Sequence, residues 1–284
     1  MLTLLGPAPE HPEVISMTLD PLPGLLDADE LAGDRQFSIN LSRGLEVLRA
    51  FTPVDEALSN RQLCERTGLP KATVSRLTYT LTMLGYLSRT LDQRYTLGAG
   101  VLALGYPMLA SMRIRQIARP WLERLASESA CTVNLAVRDR LRAVYVDSFR
   151  VDRSNRHQPD IGSPQPLLTT AIGRALVHAC TPAEQTAILN RLRVHDPQRF
   201  RIERPLWDRD REAVAKRGYF LSEGESRPDV HAVAVALRQS VHPAPVAINC
   251  TLSTDRLRGD RLTRSIAPRM LEVADRIELA CRGA

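Results

Sequence analysis

Lysine is almost missing from this chain: of its 38 basic residues only Lys71 and Lys216 are lysines, and all the others are arginine. A GC-rich genome produces that bias by itself, so the net charge of +6 argues only weakly for a nucleic-acid partner. No apolar run approaches the length of a membrane span, so no transmembrane helix is expected. The N-terminus lacks the positive n-region that a secretory signal needs, so none is expected. The five cysteines, 64, 131, 180, 250 and 281, are scattered and odd in number, with no CxxC spacing. That favours reduced core thiols in a cytoplasmic protein over a disulfide framework or a zinc site. Catalytic signatures are missing too. There is no Gly-rich phosphate loop, no HExxH, no GxSxG elbow and no acid pair at helical metal spacing, so no catalytic residue, metal or cofactor is expected.

What is present suits about two globular domains: 284 residues, 44% hydrophobic and 25% charged. Residues 1–34 hold seven acids, five prolines and no lysine or arginine, and the span 1–36 is expected to be a largely disordered tail. Within it, 25–31 can form a transient helical turn. The tail reads either as a shield for a basic face or as an inert extension. Residues 35–98 carry nine basic and five acidic residues, a net of +4, and the remaining 186 residues carry the rest of the excess. The arrangement of charge is therefore more informative than its total.

The most informative stretch is 59–98. Asn60 can cap a helix to Thr67 with Leu63 on its apolar face, and Gly68 supplies a turn that needs positive φ. Pro70 sits where a second helix can start. Val74, Leu77, Leu81 and Leu84 recur at helical spacing as one apolar stripe. The stripe turns Ala72, Ser75, Arg76 and Tyr79 outward, with Lys71 and Thr73 at the flanks. A short helix presenting these groups suits base edges and phosphates in a major groove. The segments 86–89 and 94–97 alternate around 91–93 as a hairpin, putting Arg89 and Arg94 beside the backbone as positioning contacts. The whole reads as a winged helix-turn-helix over 37–98. Before it, Ser42 is expected to cap a first helix whose core residues are Leu45, Val47, Leu48 and Phe51. Arg43 lies in that helix as a further DNA-binding candidate.

Residues 99–119 read as a linker helix whose apolar residues go nearly all round. It packs either against a second copy, as dimeric DNA readers require, or within its own protomer. From 120 the pattern predicts an α+β domain around one sheet. Helices are expected from Pro120 to Ser129, Thr170 to Ala179, after a Thr181/Glu184 capping box, Trp207 to Arg217, and Arg261 to Cys281. Strands are expected over 132–137, 143–146, 230–237 and 246–252.

Small and hydroxyl residues meet a helix start at Thr169 and Thr170, where unpaired N–H groups and a positive dipole end suit a carboxylate. Asn249 and Thr251 share one face of the last strand and can point into a pocket. The plain alternatives are a helix cap and satisfied strand residues. Glu223, Glu225 and Asp229 form either a cation site or, as is commoner, solvated loop acids. His178 and Cys180, close together on one helix, read as structural.

Taken together, SRGLEVLRAF (42–51), the LCERTGLPKATVSRLTYTL run (63–81), GYLSR with RYTLG (85–98), IGSPQPLLTTAIGRAL (161–176), KRGYFLSEGES (216–226) and VAINCT (246–251) resemble the IclR-type bacterial transcriptional regulators from about Phe37 to Cys281. The resemblance implies a winged-helix domain, a linker helix and a GAF-like ligand-sensing domain over 120–284. It also implies homodimers that can pair into tetramers, operator DNA as partner, and small organic or aromatic carboxylic acids as effectors. It places effector contacts at Thr170, Ala171 and Ile172, at Val230 and Ala232, and at Asn249 and Thr251. The AINCT run is most similar to the subgroup that senses protocatechuate or p-hydroxybenzoate. The rival is a metabolic enzyme acting on a small acid with an appended DNA-binding domain, which the missing catalytic set argues against.

Overall fold

The computed structural model describes residues 24–26, 28, 30–150 and 160–283. Residues 1–23 of the acidic tail lie outside this set, as do Asp27 and Asp29 of the expected turn.

Local chemistry sets the N-terminal module. Helix α1 spans Ile39–Arg49 and starts at Ser38, whose hydroxyl accepts from the Leu41 N–H. The expected cap Ser42 lies inside the helix, and Leu45 is exposed instead of in the core. Helix α2, Asn60–Thr67, is capped by Ser59 and not by Asn60: Ser59 and Gln62 form a reciprocal capping box. Gly68 ends it at φ 69°, a conformation that a Cβ would strain. Helix α3, Lys71–Met83, follows Pro70. Strands β1 (Leu87–Arg89) and β2 (Tyr95–Leu97) form the wing, and Leu58 exchanges both backbone hydrogen bonds with Tyr95, tying the wing to the start of α2. Val47, Leu58, Leu63, Val74, Leu81, Leu87 and Tyr95 form the core. Each fully buried aliphatic chain contributes roughly 1.5–3 kcal/mol. Leu84 departs from the expected stripe: it is the C-cap of α3 and 63% exposed.

The linker is two helices, not one. Helix α4 spans Ala99–Ser111 and α5 spans Arg113–Ser129, with an extended Met112 (ψ 92°) between them. Pro120, expected to open a helix, lies inside α5.

The second domain is a six-stranded antiparallel sheet in the order β5-β4-β3-β8-β7-β6. Its strands are β3 (Thr132–Asp139), β4 (Arg142–Phe149), β5 (Pro164–Pro166), β6 (Phe220–Glu223), β7 (Val230–Leu237) and β8 (Val246–Ser253). Alternation along these strands separates two cores. Val133, Leu135, Val233, Val235, Ile248 and Cys250 pack against α5 and the last helix α9 (Ala267–Arg282), which a π-turn at Leu262–Ile266 precedes. Ala136, Tyr145, Ala232, Ala234 and Ala247 face helix α6 (Ala171–Ala179) on the other side. Helices α7 (Pro182–His195) and α8 (Pro197–Arg217) complete that layer, with Trp207 stacked on Phe220 at 6.5 Å. Helix α8 begins ten residues before the expected Trp207. Gly173 lets α6 approach the 166–167 backbone, since a Cβ there would meet the Pro166 carbonyl oxygen at 2.4 Å.

The two domains touch where the β3–β4 turn meets α1: Arg49 pairs with Asp139 at 2.7 Å and Arg140 with Glu46 at 2.8 Å. The end of the acidic segment reaches the second domain. Leu25 is buried, and Glu30 pairs with Arg191 of α7 at 2.6 Å.

Candidate nucleic-acid interface and effector cavity

On α3 the burial of Val74, Thr78 and Leu81 leaves Lys71, Ala72, Ser75, Arg76 and Tyr79 exposed on the outer face, with Thr73 half-buried beside them. Tyr79 is 67% exposed, a large ring that nothing in the protomer covers. Asn60 donates from Nδ2 to the Ser75 hydroxyl at 2.9 Å, which fixes α2 against α3 and leaves the Ser75 O–H to donate outward. Arg43 is half-buried on α1. On the wing, Arg89 is exposed and lies 6.0 Å from the centroid of the Tyr95 ring. Arg94 departs from its expected place at the wing tip. Its guanidinium turns inward and donates to the Ala57 carbonyl, bracing the wing against the segment before α2. Sequence reading also missed Arg66. It grips Asp55 with two hydrogen bonds of 2.6 and 2.7 Å and donates to the Ala50 carbonyl at 2.8 Å. The Arg66 guanidinium holds the Asp55 carboxyl well below the usual carboxylate range. This clamp sets the loop between α1 and α2.

A cavity of about 600 Å³ opens on the α6 face of the sheet. Thr170, Ala171, Val230, Ala232, Asn249 and Thr251 line it. Two expected contacts do not. Ile172 is fully buried in the core of α6, and Thr169 is buried with its carbonyl accepting from the Ser222 hydroxyl at 3.3 Å. Asn134, Tyr145 and Ser222 line the cavity without having been expected, as do Arg227 and Asp229, which pair at 2.7 Å. Asn134 carried a usable signal, being polar within an apolar strand just as Asn249 is. Small residues border it: Ala171 and Ala232 line the cavity, where larger side chains would take up space.

The polar groups of the cavity are ordered. Asn134 donates to Asn249 Oδ1 at 2.9 Å, and Asn249 donates to the Tyr145 hydroxyl at 3.3 Å. Burial pushes the Tyr145 phenol up, so at neutral pH it stays an O–H donor. The Thr170 hydroxyl is committed: it accepts from the Gly173 N–H at 3.1 Å and donates to the Pro166 carbonyl at 2.6 Å. Arg174 points away from the cavity. Fully buried, it donates to Asp210 at 2.8 Å and to the carbonyls of Leu168 and Leu221 at 2.6 Å each, pinning the loop before α6 to β6.

Two of the loop acids are engaged, Asp229 by Arg227 and Glu225 by Arg209, and Glu223 is exposed. Burial opposes the charge on Glu225, but hydrogen bonds from Arg209 and Ser222 and the charge of Arg174 outweigh it and hold the carboxyl down at about 2. His178 is exposed at the end of α6 with its ring 5.4 Å from that of Phe220, whereas the C-cap Cys180 is buried, which pushes its thiol up to about 11.

Residues 40–90 match the model of the IclR helix-turn-helix domain, and residues 107–279 match that of the bacterial transcriptional regulator IclR C-terminal domain. The chain belongs to the IclR family of bacterial transcriptional regulators. Among its relatives, the HTH-type transcriptional regulator TsaQ1/TsaQ2 of Comamonas testosteroni is 30% identical over 248 residues, covering 86% of this chain and 89% of that protein. The Pca regulon regulatory protein of Pseudomonas putida is 28% identical over 246 residues, 84% of this chain and 82% of that one. The crystal structure of an IclR family transcriptional regulator from Brucella abortus aligns with a TM-score of 0.79 at 40% identity, over 87% of this chain and 94% of that one. The chain thus carries the DNA-binding domain of a transcriptional regulator, and these relatives are regulators, not enzymes. Among the described residues, no helix is long and apolar enough to cross a membrane.

Proposed function

We propose that the regulator binds operator DNA as a cytoplasmic homodimer, alone or paired into a tetramer, and that a small carboxylic acid held in the cavity controls it. The carrying observation is the chemistry at the cavity wall. The first-turn N–H groups of a helix have no acceptor within the helix, and with Gly173 served by Thr170 and Ile172 buried in the core, that of Ala171 at the cavity wall is left for a ligand anion. The neutral Tyr145 hydroxyl beside Asn249 adds a donor for a hydroxyl or carbonyl oxygen. A volume of about 600 Å³ fits a ring-sized acid. Binding to the folded state alone stabilises it by about 2.7 kcal/mol at a hundredfold excess over Kd. A thermal-shift screen of aromatic and short-chain acids, beginning with p-hydroxybenzoate and protocatechuate, should therefore find a stabilising ligand. Asn249→Ala should abolish the shift, and an unchanged shift would remove the cavity from the mechanism.

The case for a second copy rests on α4. None of its residues is buried, and Leu102, Leu104 and Tyr106 are 73, 60 and 67% exposed on a helix with no charged residue. An apolar surface of that kind is covered in an assembly. Light scattering should give a dimer or tetramer that Leu102→Asp with Tyr106→Asp dissociates, and a monomeric parent protein would overturn the assignment.

A further inference from the structure

A continuous chain of polar contacts runs from the cavity, through the sheet, to the break between the two linker helices. It begins in one cross-strand row. Ser148 of β4 and Asn249 of β8 flank Asn134 of β3 in register. Ser148 donates from Oγ to Asn134 Oδ1 at 2.7 Å, and Asn134 donates to Asn249 at 2.9 Å.

A β-bulge then carries the chain across the sheet. Ala136 faces Tyr145 but Leu135 faces Asp147, so β4 holds one extra residue, Val146. In an unbroken strand Tyr145 and Asp147 would share a face. The bulge instead puts Tyr145 and Ser148 on the cavity face and turns Asp147 to the α5 face. Asp147 is 3% exposed, and its Oδ1 accepts from the Ser148 N–H at 3.1 Å. On the far side its Oδ2 meets Arg119 at 2.9 Å and Arg115 at 3.5 Å. Arg115 in turn donates to the Leu109 carbonyl at 2.7 Å, and Gln116 donates to the Ala110 carbonyl at 3.3 Å. These are orphan carbonyls at the end of α4, where Met112 leaves the helical conformation. A buried carboxylate therefore holds the arginine that fastens the linker helix.

The geometry points to Asp147 and Arg115 as positioning residues that transmit cavity occupancy to the joint between α4 and α5. This role rests on the cavity being the effector site. A ligand that recruits Asn249 or Tyr145 must shift the Asn134 amide and, through Ser148, the backbone segment that carries Asp147. The discrete element being biased is the fastened end of α4. A coupling claim of this kind requires such an element and not mere spatial intermediacy.

The test is hydrogen exchange of the full-length protein, read at residues 109–116. Ser148→Ala deletes one hydroxyl on the cavity face and touches nothing on α4. It should speed exchange there roughly 5-fold, the size of one net hydrogen bond, while residues 122–129 keep their rates. Ser148→Thr should restore the parent rate. Ser148→Ala added to Arg115→Gln should cause no further change, because both break one chain. Parent rates in Ser148→Ala, or additive effects in the double variant, would overturn the relay and leave Arg115 as a fastening only. The two readings fail separately. If no acid stabilises the protein yet Ser148→Ala loosens 109–116, the effector assignment is wrong and the mechanical link stands. If an acid binds and Ser148→Ala is silent, the link is wrong.

Discussion

Asn134 donates from Nδ2 to the Oδ1 of Asn249 at 2.9 Å, joining two amides that are 1% and 2% exposed in the middle of the sheet. Buried amides of this kind cost stability unless each is satisfied by the other, and here the partners are a strand apart in space but 115 residues apart in sequence. Asn134→Leu should therefore lose about 1–3 kcal/mol in urea denaturation by stranding Asn249. Asn134→Leu combined with Asn249→Leu should recover part of that loss while still failing to respond to a ligand. Full additivity of the two losses would show that the amides are not a unit.

On the DNA side, Arg76→Ala should weaken binding to the operator by about 1–3 kcal/mol and leave random DNA nearly unaffected, as measured by fluorescence anisotropy. Equal losses on both would make Arg76 a phosphate contact. Arg94→Ala should mainly destabilise the winged-helix module, because its guanidinium serves the Ala57 carbonyl.

The Arg174–Asp210 pair is fully buried on both sides. Asp210→Ala strands a guanidinium, and although Glu225 lies 4.0 Å away, the loss should reach about 3–5 kcal/mol by chemical denaturation. A loss below about 1 kcal/mol would mean that the cluster is solvated or rearranges.

Glu225 gives a pH signature. Its carboxyl is held at about 2 in the folded protein against an ordinary 4.5, so folding favours the charged form. The stabilisation is complete above pH 4.5 and is lost as pH falls towards 2. Stability curves of the parent and Glu225→Gln should converge across that window on acidification. Parallel curves would contradict the ion-pair assignment.

What could be read from the sequence follows from how local each signal is. The capping box of α7 needs only Thr181 and Glu184, and the strands expected over 230–237 and 246–252 announce themselves by valines, alanines and isoleucine with few polar interruptions. Proline misleads where it sits inside a helix. Pro120 resembles a helix start, but α5 begins at Arg113 with no side-chain cap to mark it, and Pro205 hides the continuity of α8. Long-range partners leave no trace. Arg94 is drawn inward by a carbonyl 37 residues away. Tyr145 and Asp147 face opposite sides only because of a bulge opposite β3 that no periodicity reveals. Six of the eight expected effector contacts line the cavity, whereas Ile172 lies one helical step too far into the core.

Operator affinity measured with and without a cavity-binding acid tests the central claim most directly. Coupling between two sites of a switch is typically about 5- to 150-fold. A shift of that size in operator Kd, absent in Asn249→Ala, is the expected result. An acid that stabilises the protein yet leaves both operator affinity and promoter output unchanged would contradict the assignment of this cavity as the regulator's sensor.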